Sequence, residues 1–294
     1  MSRTIRMAQD NPIRNVSDTA LWVAVYRAME SERSDAHFHD PFARRLAGER
    51  GQAIVDAMPR GKSMSWPMVV RTAVMDEIVM RCVQQGARTV LDLAAGLDAR
   101  PYRLDLPASL HWMHVDLPEM LDYFRERMAG EKPRCELEFI AADLRDASAR
   151  RGVFEKAAAS GPVLVITEGL LVYLEREQVE ELARDLHDIA QARWWLMDLA
   201  SPMLLEFLEK QWQPKLTQGN APFRFGPAEG TAFFEPFGWR ETEFRSTWDE
   251  SKRLDRTMPG AWLWNLLSKF QSAQKREAGR RMSGIVLLEG VPHP

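Results

Sequence analysis

The stretch Arg88–Arg100, RTVLDLAAGLDAR, constrains this chain more than any other, because it reads as a buried strand running into a glycine turn and then a helix. Val90, Leu91 and Leu93 form the apolar run, Asp92 places a carboxylate beside its end, and Gly96 lets the backbone turn tightly and approach a ligand. Leu110–Asp116, LHWMHVD, is a second apolar strand ending in an acid. Asp116 lies twenty residues after Gly96, the spacing at which an acid on the second strand meets a ribose hydroxyl pair. An ionised carboxylate only accepts hydrogen bonds, so it suits both hydroxyls. The chain is expected to hold a cofactor containing a ribose.

The glycines that are missing narrow the cofactor further. A dinucleotide site uses GxGxxG so that a pyrophosphate can rest on backbone N–H groups at a helix N-terminus, whereas Ala94 and Ala95 precede Gly96 here. No Lys-Ser or Lys-Thr pair closes a glycine loop, so the Walker pattern is absent. A nucleoside without phosphates fits what remains, and S-adenosylmethionine is the commonest cofactor of that description. An NAD-linked oxidoreductase shares the strand, turn and second-strand acid and stands as the alternative.

Strands alternate with helices along the chain: Thr89–Leu93, Leu110–Asp116, Glu136–Ala141, Val163–Thr167 and Trp194–Leu199, with Glu241–Thr247 and Gly284–Glu289 after them. This alternation calls for a parallel sheet with helices on both faces and a ligand crevice at the carboxyl ends of the strands. Ahead of it, Ser17 or Asp18 could cap a helix through about Glu30, HDPFARRLAG turns into a second, and Met68–Gln85 forms a third that stops near Gly86. Between Ser201 and Glu235 the pattern changes to Leu204, Leu205, Phe207, Leu208 and Trp212 at helical spacing and then a Pro/Gly-rich stretch, which reads as an inserted lid. One domain is expected over 1–294, with N-terminal helices in 17–60 and the lid around 201–235.

A net charge of -3 without a basic tract argues against nucleic acid as a partner. The two cysteines, Cys82 and Cys135, have neither a disulfide framework nor metal-site spacing, so a reducing cytoplasm is the simplest home. No apolar run approaches a membrane span, and the first twenty residues carry no secretory pattern. His37 and His39 stand two apart with no further ligand cluster nearby, which favours packing around the DPFA turn over a metal.

Four blocks, DLAAGLDARPYRL (Asp92–Leu104), HVDLPEM (His114–Met120), AADLRD (Ala141–Asp146) and TEGLLVYLEREQV (Thr167–Val179), together resemble the leucine carboxyl methyltransferase family. Ser17–Gly48 and Val69–Val79 resemble it as well, so the likeness covers roughly residues 17 to 180. It implies a Rossmann-like class I methyltransferase fold of the α/β class. Such a fold has a seven-stranded, mostly parallel sheet with helices on both faces and a helical lid. It also implies S-adenosylmethionine as cofactor. By the same resemblance Arg71, and with it Arg27 from the N-terminal helix, contacts the methionine carboxylate, a group that the planar fork of arginine fits. Tyr173 matches a position close to the transferred methyl and is the candidate catalytic residue.

The remaining pieces of such a cofactor find residues too. Ala95 and Gly96 form the turn beneath it, Asp116 with its neighbour Leu117 takes the ribose, and Asp143 with Leu144 takes the adenine, unless Asp143 instead caps the following helix. Glu168 follows the fourth strand and would face the methionine amino group, since an acid buried there without a partner is costly. Asp98 and Arg100 could form a surface ion pair closing the turn, but they read better as support behind the residues that touch the cofactor. Glu175, Glu177 and Glu180 read as an exposed helix face.

The reaction would be displacement at the sulfonium methyl by a substrate oxygen. A carboxylate arrives ionised and needs no base, whereas a phenol needs one, and His111 and His114 are the candidates. Trp22, Trp212, Phe223, Phe225 and Phe233 could wall an apolar pocket suited to a small metabolite carrying a carboxyl or hydroxyl group rather than a peptide tail. A catalytically inactive binding protein with the same fold is the non-enzymatic alternative.

Overall fold

Two strands of this chain, β1 (Thr89–Leu93) and β4 (Val163–Thr167), have every residue buried, which is how strands at the centre of a sheet covered on both faces behave. The computed structural model describes residues 17–58, 64–208, 222–258, 260–261 and 272–291. Its sheet has seven strands in the order β3-β2-β1-β4-β5-β7-β6, the others being β2 (His111–Asp116), β3 (Glu136–Ala141), β5 (Trp194–Ala200), β6 (Trp239–Ser246) and β7 (Ser283–Gly290). The first five run parallel, and β7 is antiparallel to both β5 and β6. Strand order reverses between β1 and β4, so the crevice opens at their carboxyl ends. This is the Rossmann-like α/β arrangement that the alternation of strands and helices called for.

Side chains alternate across each strand, and the helices cover them accordingly. On one face Leu91, Leu93, Met113, Val115, Val165, Trp195 and Met197 pack with α5 (Ala147–Ala158) and α6 (Arg176–Asp188). On the other, Val90, Trp112, Leu164, Ile166 and Leu196 meet α3 (Trp66–Gln84), whose Val70, Val74, Ile78 and Cys82 are fully buried. A third cluster joins α1 (Ser17–Ser31), α2 (Ala43–Ala57) and α4 (Pro118–Arg127) through Leu21, Val25, Leu46, Ile54 and Phe124. The N-terminal helices thereby lie over the β1 and β2 ends of the crevice, where Leu97 and Ala99 belong to the same cluster.

Differences from the sequence expectation sit at element ends. The third helix begins at Trp66 rather than Met68, because Pro67 in its first turn needs no N–H partner. β6 starts at Trp239 and stops at Ser246, whose side chain accepts Asp249 N–H and so starts α7 (Thr247–Arg253), taking Thr247 out of the strand. In the expected lid, residues 202–208 are helical and Gly230–Phe237 forms a 3₁₀ helix. Trp212 and the rest of 209–221 lie outside the described residues. Phe233 is not a wall of the crevice: it packs edge-on against Phe225 and Phe234 in the core under α6. Helix α8 (Ala273–Arg280) has no buried residue and precedes β7. Among the described residues no helix is long and apolar enough to cross a membrane.

The packing of α1 on α2 depends on Gly51, because a Cβ there would stand 2.9 Å from the Leu21 carbonyl oxygen and 3.2 Å from Val25. Gly51→Val is expected to cost about 1–3 kcal/mol through overpacking. The measurement is urea denaturation, in which the midpoint should fall at an unchanged slope; an unchanged midpoint would show that α1 can move aside freely.

Candidate active site

The carboxyl ends of β1, β2, β4 and β5 open into one cavity of about 2350 Å³ that reaches under α1 and along residues 203–208 and 222–225. Ligand pockets usually hold about 300–1,000 Å³, so there is room beside a nucleoside for a second molecule. Most of its wall is apolar, and Trp22, Tyr26, Phe223 and Phe225 contribute aromatic surface. Phe223 stands 5.6 Å, centroid to centroid, from Tyr173, which lines the same space. Burial raises the pKa of both Tyr173 and Tyr26, the latter to about 12, so neither phenol is poised to lose a proton.

The glycine turn is held by the acid predicted to face it. Gly96 has φ +54°, and Ala94 takes φ +52° without being a glycine, so the turn uses two left-handed residues. Asp116 at the end of β2 accepts hydrogen bonds from Gly96 N (2.6 Å) and Leu117 N (2.7 Å). Burial nevertheless pushes the Asp116 carboxyl up, against those two donors. Ala95, Gly96, Asp116, Leu117, Asp143 and Leu144 all line the cavity, as do Arg27, Arg71, Glu168 and Tyr173, so the structure brings the ten predicted site residues together. Asp143 does not cap the next helix. That role belongs to Asp146, which accepts from Ser148 N and Ala149 N, while the Asp143 carboxylate holds Arg145 at 2.7 Å. Its pKa is lowered by that hydrogen bond.

Beneath the turn lies a buried ion network to which Asp98 and Arg100 belong, rather than forming a surface pair. Arg100 is 2% exposed. Its guanidinium reaches Asp76 on α3 (2.7 Å), Asp98 in the turn (2.6 Å) and Glu168 after β4 (2.8 Å). Burial works to raise the Glu168 carboxyl, but Arg100 and Arg71 override it and hold it down at about 2. Asp98 is likewise lowered by Arg100 against its burial. Arg103 adds a second contact to Asp76 (2.6 Å).

Arg71 and Arg27 are also engaged rather than free. Arg71 Nε donates to Glu168 (2.9 Å) and its Nη1 to Asp198 (3.1 Å), which leaves Nη2 without a hydrogen bond among the described residues. Arg27 Nη2 donates to the Leu97 carbonyl (2.6 Å), and its Nε lies 3.0 Å from Asp40. Glu168 is therefore shared between two arginines while still lining the cavity. Sequence reasoning missed Asp76, Arg103 and Asp198: the first two lie within stretches that carry the family resemblance but were given no role there, and Asp198 lies in none of them. Asp198 follows the same rule as Asp92 and Asp116, an acid at the carboxyl end of a buried strand, and that signal could have found it. Asp92, on β1, accepts from Trp112 Nε1 (3.3 Å), and burial together with Asp98 drives its pKa well above the carboxylate range.

Neither candidate base reaches the cavity. His111 pairs with Glu138 (3.1 Å) at the opposite end of β2. His114 is fully buried between Phe124 (4.8 Å) and Phe139 (5.4 Å), and neither ring nitrogen finds a hydrogen-bond partner among the described residues. No histidine is among the described residues lining the cavity. His37 Nε2 contacts the Leu254 carbonyl (2.5 Å), and no described cluster has the composition to hold a metal ion. Glu175 caps α6 with Gln178 and pairs with Arg224 instead of facing solvent alone.

A sequence profile described as Leucine carboxyl methyltransferase matches residues 20–187. A Parafrankia protein provisionally named an S-adenosyl-L-methionine-dependent methyltransferase is 34% identical over 247 residues, covering 79% of each chain. A Mycobacterium tuberculosis protein with the same provisional name is 36% identical over 196 residues, 61% of this chain and 64% of that one. The chain thus matches somewhat under two thirds of the length of such mycobacterial relatives. Two crystal structures share the fold. A duf574 family protein of Streptomyces avermitilis has TM-score 0.56 at 14% identity over 92% of this chain and 97% of the other. A provisionally named methyltransferase of Thermobifida fusca has TM-score 0.54 at 17% identity over 96% and 97%.

Burial of His114 has a consequence for acid stability. Its pKa is lowered to about 4 from 6.5, so between those values the unfolded chain binds a proton that the folded one refuses. Stability from this group is full above pH 6.5 and is lost as pH falls toward 4, by about 3 kcal/mol. His114→Phe should flatten that limb of a stability–pH profile measured by urea unfolding, leaving the limb below pH 4.5 that belongs to Glu168. A profile unchanged by the substitution would show that another group titrates there.

Proposed function

Because the chain belongs to the leucine carboxyl methyltransferase family, we propose that it methylates an oxygen of a small apolar metabolite, with a carboxylate as the preferred acceptor. Its cofactor is S-adenosylmethionine, for which its relatives are named. When bound, this cofactor supplies an electrophilic methyl group carried on a sulfonium. The site fits it: Gly96 and Asp116 form one hydrogen-bonded unit at the end of β2, and Arg71 keeps one nitrogen free for a carboxylate. Asp116 with Leu117 would hold the ribose, Asp143 with Leu144 the adenine, Arg71 and Arg27 the methionine carboxylate, and Glu168 its ammonium. The dinucleotide reading lacks both a GxGxxG turn and support from relatives.

The observation that carries the acceptor assignment is the wall of the cavity beyond these residues. It is mostly apolar, and it offers no described histidine to take a proton. A carboxylate, ionised at neutral pH, needs only orientation and exclusion of water. Tyr173, whose ring meets Phe223 at a tilt beside Arg71, is suited to orient the acceptor with its hydroxyl. Trp22, Tyr26 and Phe225 would shield the reacting atoms. Aromatic walls with few convergent polar groups favour a small molecule over a peptide terminus, and neither nucleic acid nor membrane enters the reading.

Incubating the protein with methyl-labelled cofactor and a panel of apolar carboxylic acids, phenols and amines should give base-labile methyl esters. Label on amines alone, or on protein C-termini alone, contradicts the proposal, and no transfer to any acceptor would favour an inactive binding protein. Tyr173→Phe is expected to lower kcat/KM roughly tenfold, the cost of one hydrogen bond, with cofactor affinity unchanged.

A test of the cofactor residues is separate. Asp116→Ala should weaken S-adenosylmethionine binding by one to two orders of magnitude, since hydrogen bonds to a charged group are worth roughly 1.5–3 kcal/mol. Calorimetry showing wild-type affinity would place the ribose elsewhere.

A further inference from the structure

The buried ion network beneath the cofactor turn is closed and can be followed pair by pair. Asp40 meets Arg27 (3.0 Å) and Arg103 (3.9 Å), and Arg103 meets Asp76 (2.6 Å). Asp76 meets Arg100 (2.7 Å), which also holds Asp98 and Glu168. Glu168 meets Arg71 (2.9 Å), and Arg71 meets Asp198 (3.1 Å). Four guanidiniums therefore face five carboxylates. Counted over these nine groups, the surplus is one negative charge.

Asp198 is the member that makes the difference. It lies near the end of β5, accepts Gly169 N (2.6 Å) with one oxygen and Arg71 Nη1 with the other, and keeps 27% of its side chain exposed on the cavity wall. Without it the remaining eight groups balance. Such a balanced network would satisfy itself and would have no net preference between ligands of different charge.

We propose that Asp198 gives the ion network beneath this site its surplus negative charge and thereby shifts the site's preference toward the methyl-bearing, sulfonium form of the cofactor over the demethylated product. The inference rests on the cofactor assignment above. The two ligands share the adenosine and the amino-acid head group and differ by one positive charge at sulfur, so their adenine, ribose and head-group contacts cancel in the comparison. The one surplus negative charge of the network distinguishes them through space. Across roughly 10 Å at an effective dielectric constant near 20, that interaction corresponds to about a tenfold change in relative affinity. The cost of losing this charge would fall on the substrate form and spare the product. Asp198 acts on the ligand through the field and through Arg71, as a positioning residue.

Calorimetric titration with S-adenosylmethionine, S-adenosylhomocysteine and an analogue carrying an ammonium in place of the sulfonium tests this without turnover. Asp198→Asn should reduce the ratio of sulfonium to thioether affinity about tenfold, with the ammonium analogue following the sulfonium. Asp198→Glu should restore the ratio to within about threefold. If Asp198→Asn does not give a wild-type thermal melt, Asp198→Ser removes the charge while leaving a hydroxyl to accept Gly169 N. Equal weakening of all three ligands would mean that Asp198 only braces Arg71 and Gly169, and it would overturn the proposal. A wild-type protein that binds none of them would instead overturn the cofactor assignment itself.

Discussion

Arg100 is the residue on which the rest of this site depends. A guanidinium with 2% exposure is costly to bury alone, and it is tolerated because its fork meets three carboxylates from three parts of the chain. Asp76 comes from α3, Asp98 from the turn after β1, and Glu168 from the loop after β4. α3, β1 and β4 share one apolar cluster on the α3 face of the sheet, and the arginine adds a polar tie between them at the crevice. A lysine could satisfy one or two of those acids as a point charge but not all three in a plane.

From that anchor the binding surface follows outward. Glu168 transmits the anchoring to Arg71, Arg71 to Asp198, and Asp198 to the backbone of Gly169, so that one continuous run of hydrogen bonds spans the ends of β1, β4 and β5. On the other side Asp116 ties the end of β2 to Gly96. The polar floor is thus hydrogen-bonded within the chain itself, the arrangement that preorganised stabilisation of charge requires. The aromatic walls come from elsewhere, from α1 and from residues 222–225. Under the proposed function the two halves would divide the work between holding a charged cofactor and excluding water around its reactive end.

Electrostatics and packing also explain why the apparent bases of the sequence are not bases. His114 alternates along β2 onto the face that α4 covers, where Phe124 and Phe139 enclose its ring and burial keeps it neutral. Asp92 ends up beside Asp98, and burial and that neighbour push its carboxyl well up from its ordinary value. A titratable residue near a cofactor strand is therefore no guide to chemistry until its side of the strand is known.

Much of the fold was legible because strands buried on both faces are written as uninterrupted apolar runs, as in Val163–Thr167, and because such runs are bounded by glycines and acids. The turn at Gly96 and the acid at Asp116 could be paired from spacing alone, since both lie within one strand–helix–strand unit whose geometry is local. The family motifs likewise brought Arg71, Asp143, Glu168 and Tyr173 to one cavity. What the sequence could not express were contacts between side chains far apart in the chain: Arg100 with Glu168 across 68 positions, and Arg71 with Asp198 across 127. An isolated Asp76 or Asp198 looks like any solvated acid, and Asp98 beside Arg100 could pass for a surface pair, until the sheet order sets β1 against β4 and β4 against β5. Local periodicity determined the elements and the cofactor turn. Only the tertiary structure decided which charges were buried together, because burial and ion pairing depend on distances that chain order does not encode.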